Sequence, residues 1–198
     1  MWKGRSKMNL PNKLTLLRVA LVPFFMFFAA GSRIGTSEYN AAFHLVAGLI
    51  FAAASFTDFL DGYLARKYNL VTDFGKFMDP LADKCLTTAA LIYMMADGLC
   101  HPVVLALVLF REFAVAGVRM IAAERGTVIA ANIWGKVKTV LQMLTVLFYY
   151  LVPFFMGPTD ILAWGMIVQG LCWLVAGVTV LSGGIYLWQN RECFMNAK

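Results

Sequence analysis

The apolar and polar positions divide the chain into six long apolar runs, at residues 14–31, 41–60, 77–96, 102–123, 137–156 and 160–188, separated by short polar stretches. Each run is long enough to cross a hydrocarbon core as a helix, which takes about 20 largely apolar residues. An even number of crossings puts both ends of the chain on one side. The stretches 31–40, 97–101 and 157–159 then share one face, and the N-terminal stretch, 61–76, 124–136 and the C-terminal stretch share the other. Of the 17 Lys and Arg, only Arg33 falls in a loop on the first face, so the second face is predicted to be cytoplasmic.

Composition agrees with this pattern. The 198 residues are 61% hydrophobic and 14% charged, with a mean hydropathy of +0.71, outside the range of soluble globular domains. The expected fold is an all-α integral membrane protein with six transmembrane helices and both termini cytoplasmic. We expect a single membrane domain over 1–198, with residues 1–13 a basic interfacial segment and 14–188 the six-helix core. Lys3, Arg5 and Lys7 precede the first apolar run, but no small-x-small cleavage site follows. A retained span with Trp2 as an interfacial anchor is therefore expected instead of a signal peptide. The net charge of +6 reads as a topology signal with some attraction to anionic membrane lipid; no nucleic acid is needed to explain it. Cys85, Cys100, Cys172 and Cys193 lack CxxC spacing and imply neither zinc nor a disulfide framework. His44 and His101 are isolated and are expected to be structural.

The densest chemistry lies between the second and third runs. Asp58 and Asp61 are followed by Gly62, Ala65 and Arg66, and after eight residues by Gly75, Asp79 and Asp83. Acids three or four residues apart share one face of a helix, so four carboxylates can converge between two helices. Like charges repel, and leaving water costs several kcal/mol per unpaired ion, so a positive partner is required. Two divalent cations would neutralise a formal charge of about −4, and hard oxygen donors beside a phosphate favour Mg²⁺ or Mn²⁺. Gly62 and Ala65 leave room for a close approach, Gly75 loosens the turn, and Pro80 is expected near the start of the third helix. A solvated helix-end cluster paired with Lys67, Lys76 and Lys84 is the plain alternative. Eight specified positions at fixed spacing argue against it.

These residues resemble the signature of the CDP-alcohol phosphatidyltransferases, DxxDGxxAR, a spacer, then GxxxDxxxD, with every specified position present. The likeness extends to Pro11 through Arg18, Thr72 through Lys76, Arg111-Glu112 through Arg119, and Gly135 through Thr139. It implies a six-helix enzyme, usually a homodimer, in which Asp58, Asp61, Asp79 and Asp83 hold two divalent metals and Asp83 is the catalytic base. It implies contacts to CDP-diacylglycerol from Asp58, Asp61, Gly62, Ala65, Arg66, Thr72 and Gly75, with Asn12 and Thr15 helping to clasp the nucleotide. The expected setting is the bacterial cytoplasmic (inner) membrane with the active site facing the cytoplasm.

The acceptor is read from the fourth and fifth runs. Arg111 and Glu112 are ionisable residues inside an apolar run, with Arg119 two turns later. One reading is an internal Arg–Glu pair plus an arginine that snorkels to the interface. The other, favoured here, gives Arg111 and Arg119 the phosphate of the acceptor, joined by Lys136 in preference to Lys138. Such a cationic set suits glycerol 3-phosphate or an inositol phosphate, and the resemblance selects glycerol 3-phosphate. A sister enzyme using inositol phosphate, serine or phosphatidylglycerol, a divalent-cation transporter, and a non-catalytic scaffold remain the alternatives.

Overall fold

The computed structural model describes residues 10–32, 39–67, 73–124, 126, 129, 132–156 and 160–191, with side chains at 10–12, 59, 61–67, 73–77, 79 and 80 outside the description. Among the described residues six α-helices follow one another: α1 (Leu10–Ala30), α2 (Ala41–Lys67), α3 (Asp73–Ala96), α4 (Pro102–Glu124), α5 (Ile133–Leu151) and α6 (Ile161–Gln189). A 3₁₀ turn, Val152–Phe155, follows α5. There is no strand among the described residues. α1, α2, α6 and α5 with its 3₁₀ turn are long and apolar enough to cross a membrane. α3 and α4 have the length, but Asp79, Asp83 and Lys84 interrupt the apolar part of one, and Arg111, Glu112 and Arg119 that of the other.

Local sequence sets the helix ends. Asn40 caps α2, its Oδ1 accepting from Phe43 N at 3.1 Å, and Asn132 opens α5 by accepting from Gly135 N at 3.1 Å through its carbonyl. His101 caps α4, where Val103 N donates to Nδ1 at 3.2 Å, and Pro102 follows at the first helical position, where it is tolerated. α3 stops at Gly98, whose φ of 76° suits glycine. Gly98 N donates to Met95 O at 3.0 Å and Leu99 N to Met94 O at 2.9 Å, closing a Schellman motif.

The chain divides into two compact units. Unit 1 comprises residues up to Tyr93 together with Tyr150–Phe155. Its centre is aromatic: Phe25 of α1 lies 6.0 Å from Phe51 and 5.4 Å from Tyr150, ring centre to ring centre. Ala29, Ala47 and Ala54 are buried, and small residues of this kind let helices approach closely. At Gly48 the fit is tightest, because a Cβ there would stand 2.7 Å from Leu151 Cδ2 and 2.8 Å from Tyr150 Cβ. His44 is buried, with Nδ1 3.2 Å from Ser32 Oγ and its ring tilted against that of Tyr150 at 4.8 Å between centres. Both histidines thus have structural roles, as their isolation predicts.

Unit 2 comprises Met94–Tyr149 and the residues after Phe155. α4 buries Val104, Val108, Val115, Val118 and Ala122, a stripe at helical spacing. α6, with a mean hydropathy of 1.9, is apolar all round, yet it buries a face rich in small residues, including Gly165, Ala176, Ser182 and Gly183. Leu162 and Trp188 stay exposed, as side chains facing lipid do. Cys100 and Cys172 are buried, and the Cys172 side chain, by hydrogen bonding, lowers the Cys100 thiol below its usual value. They carry no disulfide.

Candidate active site

In unit 1, both halves of the acidic motif are helical. Asp58 through Arg66 lie within α2, and Gly75 through Asp83 within α3, with only residues 68–72 between the helices. Asp58 is nine residues before the end of α2 and Asp83 ten after the start of α3, about 14–15 Å along each helix at 1.5 Å per residue. Pro80 stands in the third turn of α3, deeper than expected from sequence, because the helix begins at Asp73. A membrane helix tolerates this where neighbouring groups satisfy the freed carbonyl.

Arg18 of α1 supplies a positive partner that the sequence reading passed over. Its Nη1 lies 2.6 Å from Asp58 Oδ1, with the arginine side chain 1% and the carboxylate 41% exposed. Thr15, buried one turn earlier, shares the face of α1 that carries Arg18. Asp83 is partly buried, and its carbonyl accepts from Thr87 Oγ1 at 3.0 Å. The side chains of Asn12, Asp61, Ala65, Arg66 and Asp79, the surroundings of Gly62 and Gly75, and Thr72 as a whole lie outside the described residues. Among the described residues no three acids, histidines or cysteines gather as a metal site. Asp58 and Asp83 nevertheless offer hard carboxylate oxygens, and Asp58 keeps an accessible edge while paired. That donor chemistry fits Mg²⁺ or Mn²⁺.

In unit 2, α4 and α5 bring three charges together. Glu112 Oε1 accepts from Arg111 Nη1 at 3.0 Å and from Lys138 Nζ at 2.8 Å. The side chains of Arg111, Glu112 and Lys138 are 12%, 20% and 4% exposed. Arg111 Nε is buried with no hydrogen-bond partner among the described residues. Arg119 stands apart from it on α4, donating from Nε to Tyr186 Oη at 3.3 Å and lying over that ring. Lys136 is exposed. Of the three residues expected at the acceptor phosphate, only Arg111 joins this cluster, and the lysine beside it is Lys138. Sequence carried a signal for this, since Lys138, Gln142, Thr145 and Tyr149 form a buried polar stripe at helical spacing on an apolar helix.

Unit 1 thus carries the DxxD and DxxxD acids on two continuous helices, and unit 2 a cluster of Arg111, Glu112 and Lys138. Residues 8–181 match the model of the CDP-alcohol phosphatidyltransferases, and the chain belongs to that family. Within it, the chain is 41% identical to the CDP-diacylglycerol–glycerol-3-phosphate 3-phosphatidyltransferase of Bacillus subtilis, over 93% of this chain and 96% of that one. It is 35% identical to the enzyme of the same name from Rickettsia bellii, over 94% and 97% of the two chains. The Mycoplasma pneumoniae enzyme of that name is 36% identical, over 91% and 87%.

Proposed function

We propose that this phosphatidyltransferase moves the phosphatidyl group of CDP-diacylglycerol to sn-glycerol 3-phosphate, giving phosphatidylglycerophosphate and CMP. The observation that carries the reading is the family match over residues 8–181, with relatives at 35–41% identity named for this transfer. The largely buried Arg111 and the buried Lys138 support a phosphate-bearing acceptor over a neutral alcohol.

Asp58, Asp61, Asp79 and Asp83 would hold two divalent cations, Mg²⁺ or Mn²⁺. When bound, the cations offset pyrophosphate charge and ease departure of CMP. Asp83 takes the proton of the acceptor hydroxyl as its oxygen attacks the β-phosphorus and the bond to CMP breaks. Arg18 holds the Asp58 carboxylate in place from α1. Gly62, Ala65, Arg66, Thr72 and Gly75 contact the CDP-lipid, with Asn12 and Thr15 on α1 at its nucleotide. Arg111, Arg119 and Lys136 receive the acceptor phosphate. The chain works as a single membrane domain and a homodimer, crossing the bacterial cytoplasmic membrane six times with both termini and the active site on the cytoplasmic side. The confinement of loop Lys and Arg to one face, Arg33 excepted, supports that orientation.

The test is CMP release from CDP-diacylglycerol by the purified protein with Mg²⁺, with and without glycerol 3-phosphate. Release that requires glycerol 3-phosphate is expected. Release only with inositol phosphate, serine or phosphatidylglycerol would sink the acceptor assignment, and metal flux without CMP release would point to a transporter.

A further inference from the structure

Arg111 runs through a slot between two glycines. A Cβ on Gly183 of α6 would stand 2.9 Å from Arg111 Cγ, and one on Gly135 of α5 would stand 2.9 Å from Nη2. Non-bonded carbon atoms settle at about 3.5–4.0 Å, so any larger residue at either position would push the arginine aside. The stem is thus confined at Gly183, one arm of the fork is confined at Gly135, and the other arm is held by Glu112 Oε1 at 3.0 Å. That same oxygen accepts from Lys138 at 2.8 Å. One carboxylate therefore offsets two cations that would otherwise repel each other inside an apolar helix packing.

We infer that Gly135, Gly183 and Glu112 are positioning residues for acceptor recognition, fixing the direction in which the Arg111 guanidinium presents its donors to a phosphomonoester. None of the three touches the acceptor; they act through Arg111. Bidentate arginine–phosphate contacts depend on the plane of the fork as well as on its charge, so a shifted guanidinium binds worse although its charge is intact. The inference rests on Arg111 being a ligand of the acceptor phosphate.

Gly135→Ala separates position from charge. Its Cβ meets the mobile end of Arg111 and no backbone, so the protein is expected to fold while the guanidinium moves. The experiment measures initial rates of CMP release against glycerol 3-phosphate concentration, at saturating CDP-diacylglycerol, for wild type, Gly135→Ala, Arg111→Ala and the double variant. Gly135→Ala is expected to raise KM for glycerol 3-phosphate roughly tenfold, leave KM for CDP-diacylglycerol unchanged, and add nothing in the Arg111→Ala background. A wild-type KM in Gly135→Ala, or an equal rise on top of Arg111→Ala, would overturn the inference. Should Arg111→Ala itself leave that KM unchanged, the reading of Arg111 as a phosphate ligand fails first. Glu112→Gln, which keeps the side-chain shape, gives the second arm if Gly135→Ala does not accumulate: a selective rise in the acceptor KM supports the positioning role, and an unchanged KM refutes it.

Discussion

The two units handle buried charge in opposite ways. In unit 1 a buried arginine, Arg18, pairs one to one with an acid, Asp58, whose side chain stays half-exposed. In unit 2 one acid, Glu112, lies between two cations, the largely buried Arg111 and the buried Lys138. In the proposed function the first arrangement serves the pyrophosphate and the second the anionic acceptor. α3 and α4 differ from the four helices that are apolar over a spanning length in carrying Asp79, Asp83 and Lys84, and Arg111, Glu112 and Arg119, inside their apolar stretches.

Removing chemistry from unit 1 should give the largest effect. Asp83→Asn is expected to lower kcat for CMP release by roughly 10²–10⁴-fold, the usual contribution of a general base, with KM for glycerol 3-phosphate nearly unchanged. Removing recognition from unit 2 comes next. Arg111→Ala should raise KM for glycerol 3-phosphate by about 10–100-fold, corresponding to about 1.5–3 kcal/mol for a hydrogen bond to a charged group, in the same initial-rate assay. Lys136→Ala, at an exposed position, should raise it only a few-fold, as expected for a screened surface charge worth about 0–1 kcal/mol.

Packing changes follow. Gly48→Ala should destabilise unit 1 by about 1–3 kcal/mol through overpacking against Tyr150 and Leu151, read as an earlier thermal unfolding transition in detergent. Gly117→Ala, whose Cβ meets nothing within 4 Å, should match wild type or gain up to about 1 kcal/mol from helix propensity. Equal losses from both alanines would remove the packing distinction.

The helices were largely legible because apolar runs of spanning length have few other solutions. The differences at the ends share a direction. α1 starts at Leu10 instead of 14, α2 continues to Lys67 instead of 60, α3 starts at Asp73 instead of 77, and α5 at Ile133 instead of 137. Each extension lies toward the face expected to be cytoplasmic, where backbone hydrogen bonding continues after hydropathy has fallen. The acids were legible because spacings of three and four residues are a local property of a helix. The Arg18–Asp58 pair, the choice of Lys138 at Glu112, and the slot at Gly135 and Gly183 were not. Each depends on residues distant in sequence and fixed only by tertiary packing, and a glycine gives no hint from sequence that an arginine fills the space beside it.

The proposed division of labour between Asp83 and Arg111 is tested most directly by full initial-rate kinetics in both substrates for Asp83→Asn and Arg111→Ala. The expected result is a split: kcat collapses in the first with the acceptor KM preserved, and the acceptor KM rises in the second with KM for CDP-diacylglycerol preserved. The same change in both variants, or a rise in KM for CDP-diacylglycerol alone in Arg111→Ala, would contradict it.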